Sequence, residues 1–124
     1  TKHYIGRLSV LCGCSIAASI GSCCGIVFLL DGTEAQMKYG INSMVADISG
    51  VVCDGAKPGC ALKIATAVNS AIRAATMALN IIGADAHDGI VTFDVEKTLE
   101  NLGTLGNEGM AETNSAILEM MLHK

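Results

Sequence analysis

The sequence contains no tryptophan and only two phenylalanines and two tyrosines. Proteins that grip unstacked bases do so on aromatic platforms, and this chain has few to offer. It has no basic run either, and its net charge is −4, so the electrostatic footprint of a phosphate-backbone binder is missing. Nucleic-acid binding is set aside on both grounds. Charge of either sign is scarce: 16% of residues are charged and 51% hydrophobic, where ordinary soluble domains carry roughly a quarter charged residues. A chain of 124 residues suffices for one domain with a single core, but so small a globule has much surface to solvate and here few charges to do it with. Much of that surface is therefore expected to be covered by more of the same polypeptide or by a second subunit, and a homo-oligomer is expected. The chain opens on Thr1 rather than methionine, as an excised segment would.

Proline occurs once, at Pro58, whereas cysteine occurs six times. Six cysteines in this length could frame a disulfide scaffold. Such scaffolds are loop-rich and make up for a poor core, and this chain is rich in Ala, Ile, Leu and Met at helical spacing. Cys23 and Cys24 are adjacent, and Cys12 and Cys14 are one residue apart, all within an apolar run. Free, buried or metal-bound thiols in a reducing cytoplasm fit better.

Residues 8–30 carry no charge, a length that raises the question of a membrane span. Four serines and three glycines lie within the run, and Arg7 and Asp31 beside it form no polybasic anchor. The pattern predicts a long buried N-terminal helix packed by protein, and no membrane segment. Asp31 and Gly32 break it. Thr33 and Gln36 form a capping box opening a second helix, whose apolar positions Met37, Ile41, Met44, Val45 and Ile48 share one face. Ser49 and Gly50 end it. Pro58 suits the first turn of a third helix, which runs to about Asn80. Its polar residues Lys63, Thr66, Asn69, Ser70, Arg73, Thr76 and Asn80 share one arc, with apolar residues opposite. Residues 83–89 read as a loop. Thr92 or Asp94 caps a short helix that buries Val95, Thr98, Leu99 and Leu102 and is interrupted at Gly103 and Gly106. A last helix runs from Glu108 or Met110 to Leu122. The expected fold class is all-α, with about five helices and no strand.

Cys60 falls in the first turn of the third helix, where unpaired N–H groups and the macrodipole suit an anionic ligand. Cys53 precedes it across a turn holding two glycines and Pro58, and such a turn can fold back to bring both sulfurs to one centre. A third sulfur is available from Cys12, Cys14, Cys23 or Cys24. The close C-x2-C pair of structural zinc sites is absent, as is the clustered run of four found in ferredoxins. Spacing alone leaves open a metal centre or a set of ordinary buried thiols.

The stretch C-D-G-A-K-P-G-C-A-L-K-I-A-T-A, residues 53–67, resembles the signature of the iron–sulfur L-serine dehydratase alpha-subunit and L-cysteine desulfidase family. So does L-S-V-L-C-G-C-S-I-A-A-S-I-G, residues 8–21. The tail is similar in D-V-E-K-T-L-E-N-L-G, residues 94–103, and in G-M-A-E-T, residues 109–113. The resemblance spans nearly the whole chain and implies that residues 1–124 are the C-terminal, cluster-binding segment of a longer cytoplasmic lyase. It implies a [4Fe–4S] cluster and a small amino-acid substrate: L-cysteine would yield sulfide, ammonia and pyruvate, and L-serine would yield water, ammonia and pyruvate. It also implies cluster ligands at Cys53, Cys60 and one cysteine of the first block, taken as Cys12 over Cys14. Cys23 and Cys24 fall at positions where the family has small apolar residues, and read as core. Lys57 is a candidate for the substrate carboxylate, against the reading of a solvated loop lysine. No residue stands out as the catalytic base, which the resemblance puts upstream, so the segment alone is expected to be inactive. His3, His87 and His123 read as surface residues. Two other functions stay in view, a non-catalytic helical interaction module and a small electron-transfer iron–sulfur protein. Cluster content separates the first from a lyase, and the response of the cluster to amino acids separates the second.

Overall fold

The computed structural model describes residues 1–6 and 9–123, the Lys2 side chain excepted. The described chain is all-α, as predicted. Its elements are α1 (Lys2–Ile5), α2 (Ile16–Leu29), α3 (Glu34–Ile48), α4 (Cys60–Leu79), α5 (Val95–Thr104), a π turn (Leu105–Gly109) and α6 (Ala111–Leu122). The four-residue α1 makes one helix more than the sequence suggests. No described helix is long and apolar enough to cross a membrane.

Local signals account for the helix ends. Thr33 accepts from the Gln36 amide at 3.2 Å while Gln36 accepts from the Thr33 amide at 2.7 Å, so the predicted capping box opens α3. Asp94 caps α5 by accepting from the Glu96 amide at 3.0 Å. Helix α4 closes on a Schellman turn, in which the Ile82 amide reaches the Met77 carbonyl and the Ile81 amide reaches that of Ala78. Ile81 occupies the left-handed position of that turn (φ 58°), which costs a β-branched residue about 1–2 kcal/mol relative to its preferred basins.

Helices α2, α3 and α4 each pack on the other two, and α5 lies across α3 and α1. The core combines Ile16, Ile20, Val27, Met44, Val45 and Leu102 with a stripe of Ala71, Ala74, Ala75 and Ala78 from α4. Small residues let the helix axes approach. A Cβ added at Gly40 would stand 2.8 Å from the Cys23 sulfur and 3.7 Å from the Ala78 Cβ, which places Gly40 where the three helices meet.

Two expectations need correction. The long N-terminal helix expected over residues 8–30 begins only at Ile16; Leu8 lies outside the described residues, and residues 10–12 are held extended by hydrogen bonds to residues 51–53. Its far end is not buried, with Phe28 68% and Leu29 79% exposed. Helix α5 is not interrupted at Gly103, which instead admits the Tyr4 carbonyl: a Cβ there would lie 2.8 Å from that oxygen. On α4 the apolar arc is only half used. Ala67, Ala71, Ala74, Ala75 and Ala78 are buried, whereas Leu62, Ile64, Val68 and Ile72 are 46–74% exposed. Helix α6 buries no residue at all. The sparse charge and abundant apolar residues thus end in an open apolar surface of the kind that usually meets another protein surface.

Gly40→Ala is expected to lower stability by about 1 kcal/mol, because overpacking of about 1–3 kcal/mol outweighs a helix-propensity gain of about 1 kcal/mol. In a Cys23→Ala background the same change should become neutral or stabilising. Urea unfolding of the four proteins checks this; an equal loss in both backgrounds would refute the close contact.

Candidate cysteine site

The two cysteine blocks meet through backbone. Leu11 and Val52 form an isolated antiparallel bridge. The Cys12 amide donates to the Val51 carbonyl at 2.8 Å, and the Cys53 amide donates to the Val10 carbonyl at 2.6 Å. Short antiparallel pairs of this kind satisfy main-chain groups that helices on either side cannot reach. Cys12 is buried beneath this bridge and Cys53 is exposed beside it.

Cys60 is reached by a tight turn. Its amide donates to the Lys57 carbonyl at 2.9 Å, and the Ala61 amide donates to that of Pro58 at 3.1 Å. Pro58 therefore stands in the turn before the helix, two residues ahead of the first helical residue, Cys60. Gly55 takes φ +92° with the flexible Met121 methyl close by, so it is the backbone of this turn that needs glycine. The Gly55 carbonyl accepts from the Cys60 thiol at 3.3 Å. Cys53 lines a cleft of about 230 Å³ with Ser9, Gly55, Asn114, Ile117, Leu118 and Met121.

Lys63 closes the arrangement from α4. Its ammonium donates to the Val52 carbonyl at 2.8 Å and to the Asp54 carboxylate. It is held above its ordinary value, first by the Asp54 hydrogen bond, with burial opposing and the charges of Asp54, Cys12 and Cys60 adding. Sequence reasoning gave Lys63 only a place on the polar arc of α4. Its spacing of three from Cys60, which puts both on one helix face, was the available signal. Lys57 is exposed, as a residue meeting a ligand from solvent would be.

The donor chemistry suits a thiolate-bound cluster, since all six cysteines are free and segments bearing three of them are hydrogen-bonded together. A further sign lies at the start of α2. The Ser15 hydroxyl, one residue beyond Cys14, is fully buried without a hydrogen-bond partner among the described residues. An unmet buried hydroxyl costs about 1–3 kcal/mol, and it could donate to a sulfur acceptor. Among the described residues, no three His, Cys, Asp or Glu side chains converge tightly enough to hold a single metal ion. The cysteines as described are thus assembled by backbone and not closed into a ligand shell.

Of the remaining cysteines, Cys23 behaves as core, Cys24 is half-buried and Cys14 is exposed. Cys23 is fully buried and burial, aided by the Cys24 charge, pushes its thiol up to about 11. Burial raises Cys24 as well. His3, His87 and His123 are exposed, as predicted.

These features define a small helical domain with paired cysteine segments at one end. The chain matches the serine dehydratase alpha chain family over residues 1–119 and belongs to that family. It is 50% identical over 123 residues to a UPF0597 protein of Clostridium perfringens, covering 99% of this chain and 29% of that protein. A UPF0597 protein of Clostridium tetani is 46% identical over 123 residues, with 99% and 29% covered. One from Bacteroides fragilis is 43% identical over 123 residues, with 99% and 28% covered. The chain therefore spans less than a third of the length of these curated relatives. No solved structure matches it significantly.

Because the Cys23 thiol is raised from 9.0 to about 11 in the fold, the unfolded chain loses this proton first as pH rises. Cys23 should contribute stability that is complete below about pH 9 and lost on approach to about pH 11. Urea midpoints across that window should fall more steeply for the natural protein than for Cys23→Ala. Parallel slopes would show that the thiol is not buried in the way described.

Proposed function

We propose that this chain is the C-terminal, cluster-holding part of a [4Fe–4S]-dependent lyase acting on L-serine or L-cysteine, with Cys12, Cys53 and Cys60 as ligands. The observation that carries this reading is the bridge between residues 10–12 and 51–53, which joins the first cysteine block to the second, next to the helix that begins at Cys60. Membership of the serine dehydratase alpha chain family supports the reaction class. Cys12 is preferred to Cys14 because its own amide, bonded to the Val51 carbonyl, takes part in the bridge to the Cys53 segment.

Three protein thiolates would leave one iron of the cluster open to act as a Lewis acid on the substrate's leaving group. The chain's own part is to hold that group and to position the substrate. Lys57, exposed at the mouth of the turn, is proposed to receive the substrate carboxylate. Loss of the α-proton and of the β-substituent, as water from serine or sulfide from cysteine, gives an aminoacrylate that hydrolyses to pyruvate and ammonia. The base that takes the α-proton is proposed to lie in the rest of a polypeptide of the relatives' length. That polypeptide, or a second subunit, is also proposed to cover the open face of α4, within a cytoplasmic homo-oligomer. The same open face suits a second reading, a helical interaction module with no cluster.

Anaerobic reconstitution of the full-length protein with iron and sulfide is expected to give a broad visible band. The band should be lost in Cys12→Ala, Cys53→Ala and Cys60→Ala, retained in Cys14→Ala, and perturbed by L-serine or L-cysteine. A folded wild-type protein without a band would favour the interaction module. Lys57→Met should leave the band unchanged and raise the KM for the amino acid about tenfold or more, the loss expected for one charge-assisted hydrogen bond. An unchanged KM would return Lys57 to the solvated surface.

A further inference from the structure

Lys63 stands one helical turn beyond Cys60, at the start of α4. A cation in the opening turns of a helix faces the positive end of the macrodipole, so its placement calls for an opposing interaction. The structure supplies one. The Lys63 ammonium bonds the Val52 carbonyl and the Asp54 carboxylate, which belong to the two residues flanking Cys53. Its side chain is only 22% exposed, and one of its partners is main chain within the bridge. It therefore differs from a surface ion pair, whose contribution is usually small.

We propose that Lys63 is the positioning residue of the cysteine site, clamping the Cys53 segment to the helix that carries Cys60 while holding a fixed positive charge one helical turn from Cys60. The proposal rests on the reading of Cys12, Cys53 and Cys60 as the cluster ligands. Its geometric half, the clamp, is independent of any metal. Outer groups of this kind orient metal ligands and tune the centre they surround, and a fixed cation offsets the negative charge of assembled thiolates.

The experiment compares Lys63→Met, which keeps the length of the side chain but removes donor and charge, with Lys63→Arg, which keeps both, in the full-length protein. Amide hydrogen exchange of the metal-free forms reads the clamp. In Lys63→Met, exchange at the Cys12 and Cys53 amides should quicken about tenfold, as expected for a lost hydrogen bond to a charged group, while exchange within α3 stays as in wild type. The α3 amides also report whether the variant has folded. Lys63→Arg should restore slow exchange. After anaerobic reconstitution, Lys63→Met should retain less iron and show a lower cluster reduction potential, both recovered in Lys63→Arg. Wild-type exchange at Cys12 and Cys53 in a folded Lys63→Met protein overturns the clamp. Iron content and potential equal to wild type overturn its service to the cluster. If wild type itself takes up no iron, the cluster reading fails, and the exchange data still decide whether Lys63 holds the two cysteine segments together.

Discussion

Two backbone hydrogen bonds, from Cys12 to Val51 and from Cys53 to Val10, fix the relation between the parts of the molecule that carry its chemistry. Helix packing prepares them. Helices α2 and α3 are joined by the short connection of residues 30–33 and pack on one another, so they run antiparallel. The start of α2 and the end of α3 consequently emerge at the same end of the domain. The segment before Ile16 and the segment after Ile48 then lie side by side with unpaired main-chain groups, and exchanging hydrogen bonds is the cheapest way to satisfy them. Helix α4 begins at that end as well, which brings in Cys60 and Lys63.

How much of this was legible follows from how local each determinant is. The capping box at Thr33, the Asp94 cap and the length of α4 are written within a few residues of where they act, and sequence inspection locates them. The start of α2 is not written locally. Residues 10–12 are apolar and uncharged and would suit either a helix or an extended segment, and their partner lies beyond the whole of α2 and α3. The role of Lys63 was hidden for the same reason, since Val52 and Asp54 come within its reach only after the turn at Gly55 has formed. The identity of the candidate cysteines came from resemblance to a family. Spacing alone left four choices for the third sulfur.

The six cysteines separate by environment into two chemical kinds. Cys23 is sealed between helices and its thiol is raised by burial, so it is a poor nucleophile and a poor ligand that acts mainly as a small apolar side chain. Cys53 opens on a cleft, and Cys60 sits at a helix start with its thiol bonded to a main-chain carbonyl. Cys12 is buried like Cys23, but its amide belongs to the bridge with Val51, and the buried Ser15 hydroxyl three residues on has no partner among the described residues. Burial alone therefore does not distinguish a structural thiol from a candidate ligand. The polar groups collected around it do.

The division of α4 explains the composition from which the sequence reading began. Fully burying a Leu, Ile or Val side chain is worth about 1.5–3 kcal/mol, yet this helix buries Ala71, Ala74, Ala75 and Ala78 and leaves Leu62, Ile64, Val68 and Ile72 largely in the open. Alanine on the inner side permits the close approach of α2 and α3 that Gly40 also serves. The larger side chains gain nothing from that contact and would be costly on a surface destined for water. Their place is intelligible if α4 is the middle of a wider core, with this domain on its alanine side and further polypeptide on its isoleucine and valine side. On that view the scarcity of charge is a property of a helix built to be covered on two faces, one of which these 124 residues supply.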